Sequence, residues 1–173
     1  MFGNWLNRAE MVKEPGGAEE FENAIRSELA TADAETVFVV TAIVGLLGAV
    51  AYADGVFSLD EQQRVREELS RIRGMTAQGV DTITRALINH VLEIATVQSP
   101  RYTRLLRELG DQELRLDLLE MLVALAAADQ VITSAETNVM RQITTSLGLT
   151  QRDYNAAQAK YKDRLAVLQN VRK

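Results

Sequence analysis

Two nine-residue stretches decide how this chain folds: Ala53-Asp54-Gly55-Val56-Phe57-Ser58-Leu59-Asp60-Glu61 and Ala128-Asp129-Gln130-Val131-Ile132-Thr133-Ser134-Ala135-Glu136. Both read A-D-x-V-[FI]-[ST]-x-x-E, and their aspartates stand 75 residues apart. Each follows an alanine-rich apolar run and precedes an amphipathic one. The match continues beyond them. Gly74-Met75-Thr76 corresponds to Gly148-Leu149-Thr150 at an offset of 74, and at that same offset Val80, Ile83, Leu87, Val91 and Ile94 map onto Tyr154, Ala157, Tyr161, Leu165 and Leu168. The repeated unit is helix, A-D loop, helix, G-[ML]-T turn, helix. Two copies are too few for a stable solenoid. The expected arrangement is therefore two three-helix units facing each other about a pseudo-twofold axis, with the apolar helices buried between them.

Outward from the repeats, apolar positions recur at helical spacing and no period-two alternation competes with them. Phe21, Ile25 and Leu29 mark a first helix after the Pro15-Gly16-Gly17 break, and the apolar run over residues 37–53 marks a second. A third is expected over residues 59–73. The Val80-to-Ile94 stripe, stepping by three, four, four and three, is the buried face of a fourth. Ser99-Pro100 is expected to break the chain, with proline in the first turn of the next helix, and Gly110 to close that helix. Leu114, Leu118, Met121, Leu122 and Leu125 carry a sixth, with two more over residues 134–147 and 151–169. The fold class is thus all-α: a single domain of seven or eight helices over residues 20–173, preceded by an arm over residues 1–19. Repeat one covers about residues 37–98 and repeat two about 112–169.

Composition removes functions more readily than it suggests them. The chain has 173 residues with 19 Lys+Arg against 24 Asp+Glu, a net charge of −5 without a basic block, which argues against electrostatic capture of nucleic acid. Having no cysteine excludes disulfides and thiolate chemistry, and a single histidine, His90, makes a His-rich zinc site unlikely. Residues 1–17 lack the apolar core of a signal peptide. The 17 uncharged residues 37–53 sit at the lower edge of a bilayer span but carry acidic flanks and no Lys or Arg anchors. A buried central helix in a soluble cytoplasmic protein, with no transmembrane segment, is the expectation.

The repeated loop has a strong structural reading. Ser58-x-x-Glu61 and Thr133-x-x-Glu136 are capping boxes, in which the hydroxyl accepts from the third helical N–H while the glutamate reaches back to the cap N–H. Val56-Phe57 and Val131-Ile132 supply the apolar residue before each cap. Gly55 ends the preceding helix in a left-handed conformation. Capping leaves Asp54 and Asp129 unexplained, because a carboxylate at a helix C-terminus faces the negative end of the dipole. A hard divalent cation is one partner for them, since carboxylate oxygens suit Mg²⁺, Ca²⁺ or Mn²⁺. An EF-hand is excluded by Val56 and Phe57 at positions that would need ligands. On spacing alone, a cation site stands beside capping with a solvated aspartate.

At these residues the chain resembles the TerB-like family, the tellurite-resistance protein B group, whose helical domains carry a twice-repeated A-D-G-x-[ILVF]-x-x-x-E loop. The first copy fits closely, the second departs at Gln130, and the Gly148-Leu149-Thr150 turn with Asp153, Tyr154 and Tyr161 is similar to the family's closing segment. The resemblance covers about residues 36–168. It implies an all-α domain in tellurite resistance and stress response, with related domains attached to DnaJ-type co-chaperones. It also implies a metal site with Asp54 and Glu61 from the first loop and Asp129 and Glu136 from the second.

Other features have plain readings. His90 stands alone, without a nucleophile. Arg101, Arg104 and Arg107, with Arg115 nearby, interleave with Glu108, Asp111 and Glu113 as a solvated, salt-bridged face. Trp5 and Leu6 either anchor a partner or cover a neighbouring helix. No nucleophile–base pair or phosphate loop is visible, and no organic cofactor is implied. The expectation is a non-enzymatic domain binding a divalent cation and a protein partner. Its alternatives are a metal-free structural or partner-binding module and a metal-dependent hydrolase using the four carboxylates. Oligomeric state is not encoded in these patterns.

Overall fold

A computed structural model describes residues 18–127 and 132–171, with side chains up to residue 162. Among the described residues the chain forms eight α-helices and no strand: α1 (Ala18–Glu28), α2 (Ala34–Ala51), α3 (Leu59–Ser70), α4 (Ala77–Glu93), α5 (Ser99–Leu109), α6 (Gln112–Ala126), α7 (Ser134–Ser146) and α8 (Gln151–Val171). They make one all-α domain, as the 3.6-residue periodicity requires.

Local chemistry sets most boundaries. Asp33 caps α2, its carboxylate accepting from the Thr36 N–H at 2.8 Å, and Asp111 caps α6 in the same way through Leu114. Thr76 caps α4, and Gly110 closes α5. The expected break at Ser99-Pro100 does not occur. A five-residue π turn, Ile94–Gln98, carries the helical path from α4 into α5. Proline lacks the N–H that an unbroken α-helix would use there; the wider turn, closed by the Ser99 N–H onto the Ile94 carbonyl, lets it sit in the first turn of α5.

The core is built around α2. Its length and composition would suffice to cross a bilayer, yet 61% of it is buried inside the fold. It packs against α5, α6 and α7 as well as α3 and α4. Glycines on its inner side permit this: a Cβ at Gly45 would lie 2.3 Å from the Tyr102 ring of α5. The fourth-helix stripe is buried throughout, at Val80, Ile83, Leu87, Val91 and Ile94. Of its counterpart on α8, Tyr154 and Ala157 are buried and Tyr161 is partly so, whereas the side chains of Leu165 and Leu168 lie outside the described residues. Packing partners recur in pairs. α3 lies on α6 and α7 on α2, α2 touches α4 as α6 touches α8, and α2 and α6 touch each other.

Helix α1 is laid antiparallel along α4. Phe21, Ile25 and Leu29 are buried, and polar ties fix both ends: the Thr76 hydroxyl donates to Glu28 at 2.8 Å, and His90 pairs with Glu20 at 2.7 Å. Glu22 accepts from Arg101 at 3.0 Å and from the Tyr102 hydroxyl at 3.2 Å. Burial and the neighbouring Glu22 carboxylate push the Tyr102 phenol far above its ordinary range. Arg101 is therefore drawn to α1 rather than to the acidic residues interleaved with it. Arg115 donates to the backbone carbonyls of Asp111 and Leu147.

Candidate functional site

The first A-D loop is folded by its own polar groups. Tyr52 ends α2, its carbonyl accepting from the Gly55 N–H at 2.9 Å, and Gly55 takes φ +85°, the left-handed conformation expected of it. Asp54 is exposed, and its carboxylate accepts from the Val56 N–H at 2.9 Å. This Asx turn gives Asp54 a local partner that reading it as a residue lacking a capping role had missed. Val56 points outward at 62% exposure, while Phe57 packs against the core, so the apolar residue before the cap is Phe57 alone. Ser58 then starts α3 with both halves of a capping box: its N–H donates to Glu61 Oε2 at 2.8 Å, and its hydroxyl accepts from the Glu61 N–H at 3.2 Å.

The second loop is described only from Ile132 onward; Asp129 and its neighbours 128, 130 and 131 lie outside the described residues. What is seen repeats the first. Ile132 packs against the core, the Thr133 N–H donates to Glu136 Oε2 at 2.6 Å, and the Thr133 hydroxyl accepts from the Glu136 N–H at 3.1 Å. Cap dihedrals agree within about ten degrees, at −64°, 159° for Ser58 and −73°, 162° for Thr133.

Of the four carboxylates singled out by the sequence, three are therefore placed. Glu61 and Glu136 each turn back onto their own cap and are buried, at 6% and 4% exposure; Asp54 turns onto Val56 at the surface. Among the described residues no group of three or more His, Asp or Glu side chains is close enough to hold a metal ion.

A second feature was not foreseen. A cleft of about 460 Å³ opens between the first loop (Tyr52, Gly55), the end of α4 with its π turn (Leu92, Ala95) and the outer part of α7 (Val139, Ile143). No charged residue lines it. Its signals in the sequence were weak: small residues at Ala49, Ala53 and Ala95, and the Ser99-Pro100 pair that follows the π turn. Only packing brings these segments together.

Set against known proteins, the chain matches the family model described as "Tellurite resistance protein TerB" over residues 40–159, from the second turn of α2 into α8. No curated protein and no solved structure matches it. The match takes in both A-D loops and both capping boxes, and it leaves α1 outside. It covers well over half of the chain, and the chain belongs to the TerB family, a tellurite-resistance-associated domain.

Proposed function

We propose that this domain is a non-enzymatic, cytoplasmic module of tellurite and stress response whose two acidic loops take up a hard divalent cation and present the loaded surface to a protein partner. Burial of Glu61 and Glu136 carries the reading. A capping box forms equally well around a surface glutamate, whereas here both capping glutamates are buried residues at corresponding places in the two loops. Ca²⁺, Mg²⁺ or Mn²⁺ would suit such oxygen ligands, with the exposed Asp54 as the accessible member of the first pair. The reciprocal packing of α3 on α6 and α7 on α2 supports a pseudo-twofold relation between the loops.

A metal-free partner-binding module is the competing reading, and the Asx turn of Asp54 favours it. Calorimetric titration with Ca²⁺, Mg²⁺, Mn²⁺ and Zn²⁺ separates the two. Cation uptake predicts heat that is lost in Asp54→Ala and Asp129→Ala, with a melting shift reflecting about 2.7 kcal/mol at a hundredfold excess over Kd. No heat and no melting shift with any ion would leave the loops as helix caps alone.

A further inference from the structure

Among the described residues nothing fills the neutral cleft, and the sequence outside them contains a suitable occupant. Its lining includes Leu92, a large apolar side chain left 60% exposed. Residues 1–17 supply Phe2, Trp5 and Leu6 at i, i+3 and i+4 spacing, and in that segment Arg8 and Lys13 balance Glu10 and Glu14. An uncharged, small-faced cleft of this size accepts an aromatic and an aliphatic anchor without stranding a charge.

The point of entry matters as much as the chemistry. Because Glu28 sits at the start of α4 and Glu20 beside His90 near its end, α1 runs with its N-terminus toward the π turn. The Glu22 contacts with Arg101 and Tyr102 place the same end against the start of α5. The preceding chain thus joins the fold beside Ile94–Gln98, the segment that forms one wall of the cleft. Thirteen residues lead from Trp5 to Ala18. Fully extended they reach about 43–47 Å, and as helix about 20 Å. A domain of this length has a radius of gyration near 16 Å, so even a compact arm spans the distance around the π turn. Tethering also gives the arm an effective concentration that a free partner must exceed.

We propose that this cleft is a docking site in cis for residues 1–17 of the same chain, with Trp5 and Leu6 seated between the first loop, the π turn and α7.

Trp5 is the sole tryptophan, so intrinsic fluorescence of the full chain reads this directly. Docking predicts emission at shorter wavelength than in urea-unfolded protein and weak quenching by acrylamide and iodide. Leu92→Glu and Gln142→Arg, both at exposed cleft positions, should each raise quenching several-fold toward the unfolded value while helical circular dichroism and melting stay near wild type. Leu59→Glu, 80% exposed and away from the cleft, should leave Trp5 unchanged. Trp5 as accessible in the native chain as in urea overturns the proposal. So does protection that neither cleft variant disturbs. Protection lost on dilution together with a dimer in sedimentation would instead assign the cleft to a second copy's arm, which also overturns docking in cis.

Discussion

Replacing Glu136 measures how much of the second loop is capping. Its carboxylate accepts the Thr133 N–H at 2.6 Å, a charge-assisted bond at a helix N-terminus. Such a bond contributes about 1.5–3 kcal/mol. Against that, Glu136→Ala removes a carboxylate that is costly to bury and gains a few tenths of a kcal/mol in helix propensity. Thr133 is half-buried, so water reaches its freed N–H in part. The net loss should be about 1–2 kcal/mol, in the range of other cap deletions. Unfolding entropy for a chain of this length is roughly 0.36 kcal/mol/K, so Tm should fall by about 3–6 °C.

Glu136→Gln keeps an acceptor of the same reach and loses only the charge, so it should cost less than half as much. Both variants are to be melted by far-UV circular dichroism in chelator, which removes any contribution from bound cation. Should Gln fall as far as Ala in chelator, the charge rather than the acceptor holds the loop. Should Ala melt with wild type, the capping box contributes nothing. Either result refutes the argument.

Gly45→Ala and Gly48→Ala test the close packing of α2. The first places a Cβ 2.3 Å from the rigid Tyr102 ring and should cost about 1–3 kcal/mol in urea unfolding despite the better helix former, whereas the second meets the more yielding aliphatic side chain of Leu87, 2.7 Å at its nearest methyl, and should cost less; equal effects would contradict this. Tyr102→Phe removes a donor to Glu22, which retains Arg101, and should cost about 0.5–1.5 kcal/mol, a loss that should shrink in a Glu22→Gln background. Asp33 and Asp153 are held below the ordinary carboxylate range by hydrogen bonds from Thr36 and Thr150 respectively. Folded protein thus binds these protons more weakly than unfolded chain, and the stability involved is complete above the ordinary range and disappears as pH falls through the lowered values. Asp33→Asn with Asp153→Asn keeps side-chain acceptors but removes the titration, so Tm should decline less steeply in acid than for wild type.

Helix identity and N-caps were legible because each rests on residues close in sequence, Ser58 with Glu61 and Thr133 with Glu136; the left-handed turn at Gly55 was legible too, though α2 ends earlier, at Ala51. The π turn was not. Pro100 signals that a donor is missing, but interruption and a wider turn are both consistent with that signal, and the packing of Ile94–Gln98 against α2 decides between them. The local partner of Asp54 was hidden for a related reason. Its partner is a backbone N–H two residues on, and whether an aspartate closes such an Asx turn depends on local dihedrals that the residue type alone does not fix. Burial of both capping glutamates, and the cleft, arise only when α2, α5 and α7 meet. The polar ties of α1 likewise join residues some 48 to 80 positions apart.

The caps also bear on what a cation could do here. Both capping boxes are closed by side-chain-to-backbone hydrogen bonds, and buried apolar side chains hold the helices that follow them. A domain with an apolar core of this kind is expected to fold without metal, unlike a small module whose core is its metal. Uptake by the acidic loops should therefore leave the metal-free protein helical and cooperative and add to its stability by mass action alone. The consequence would have to be local: redirection of the exposed Asp54 carboxylate away from the Val56 N–H, at the edge of the neutral cleft. Loss of helix in chelator would contradict this, because it would make the ion part of the core rather than a ligand of preformed loops.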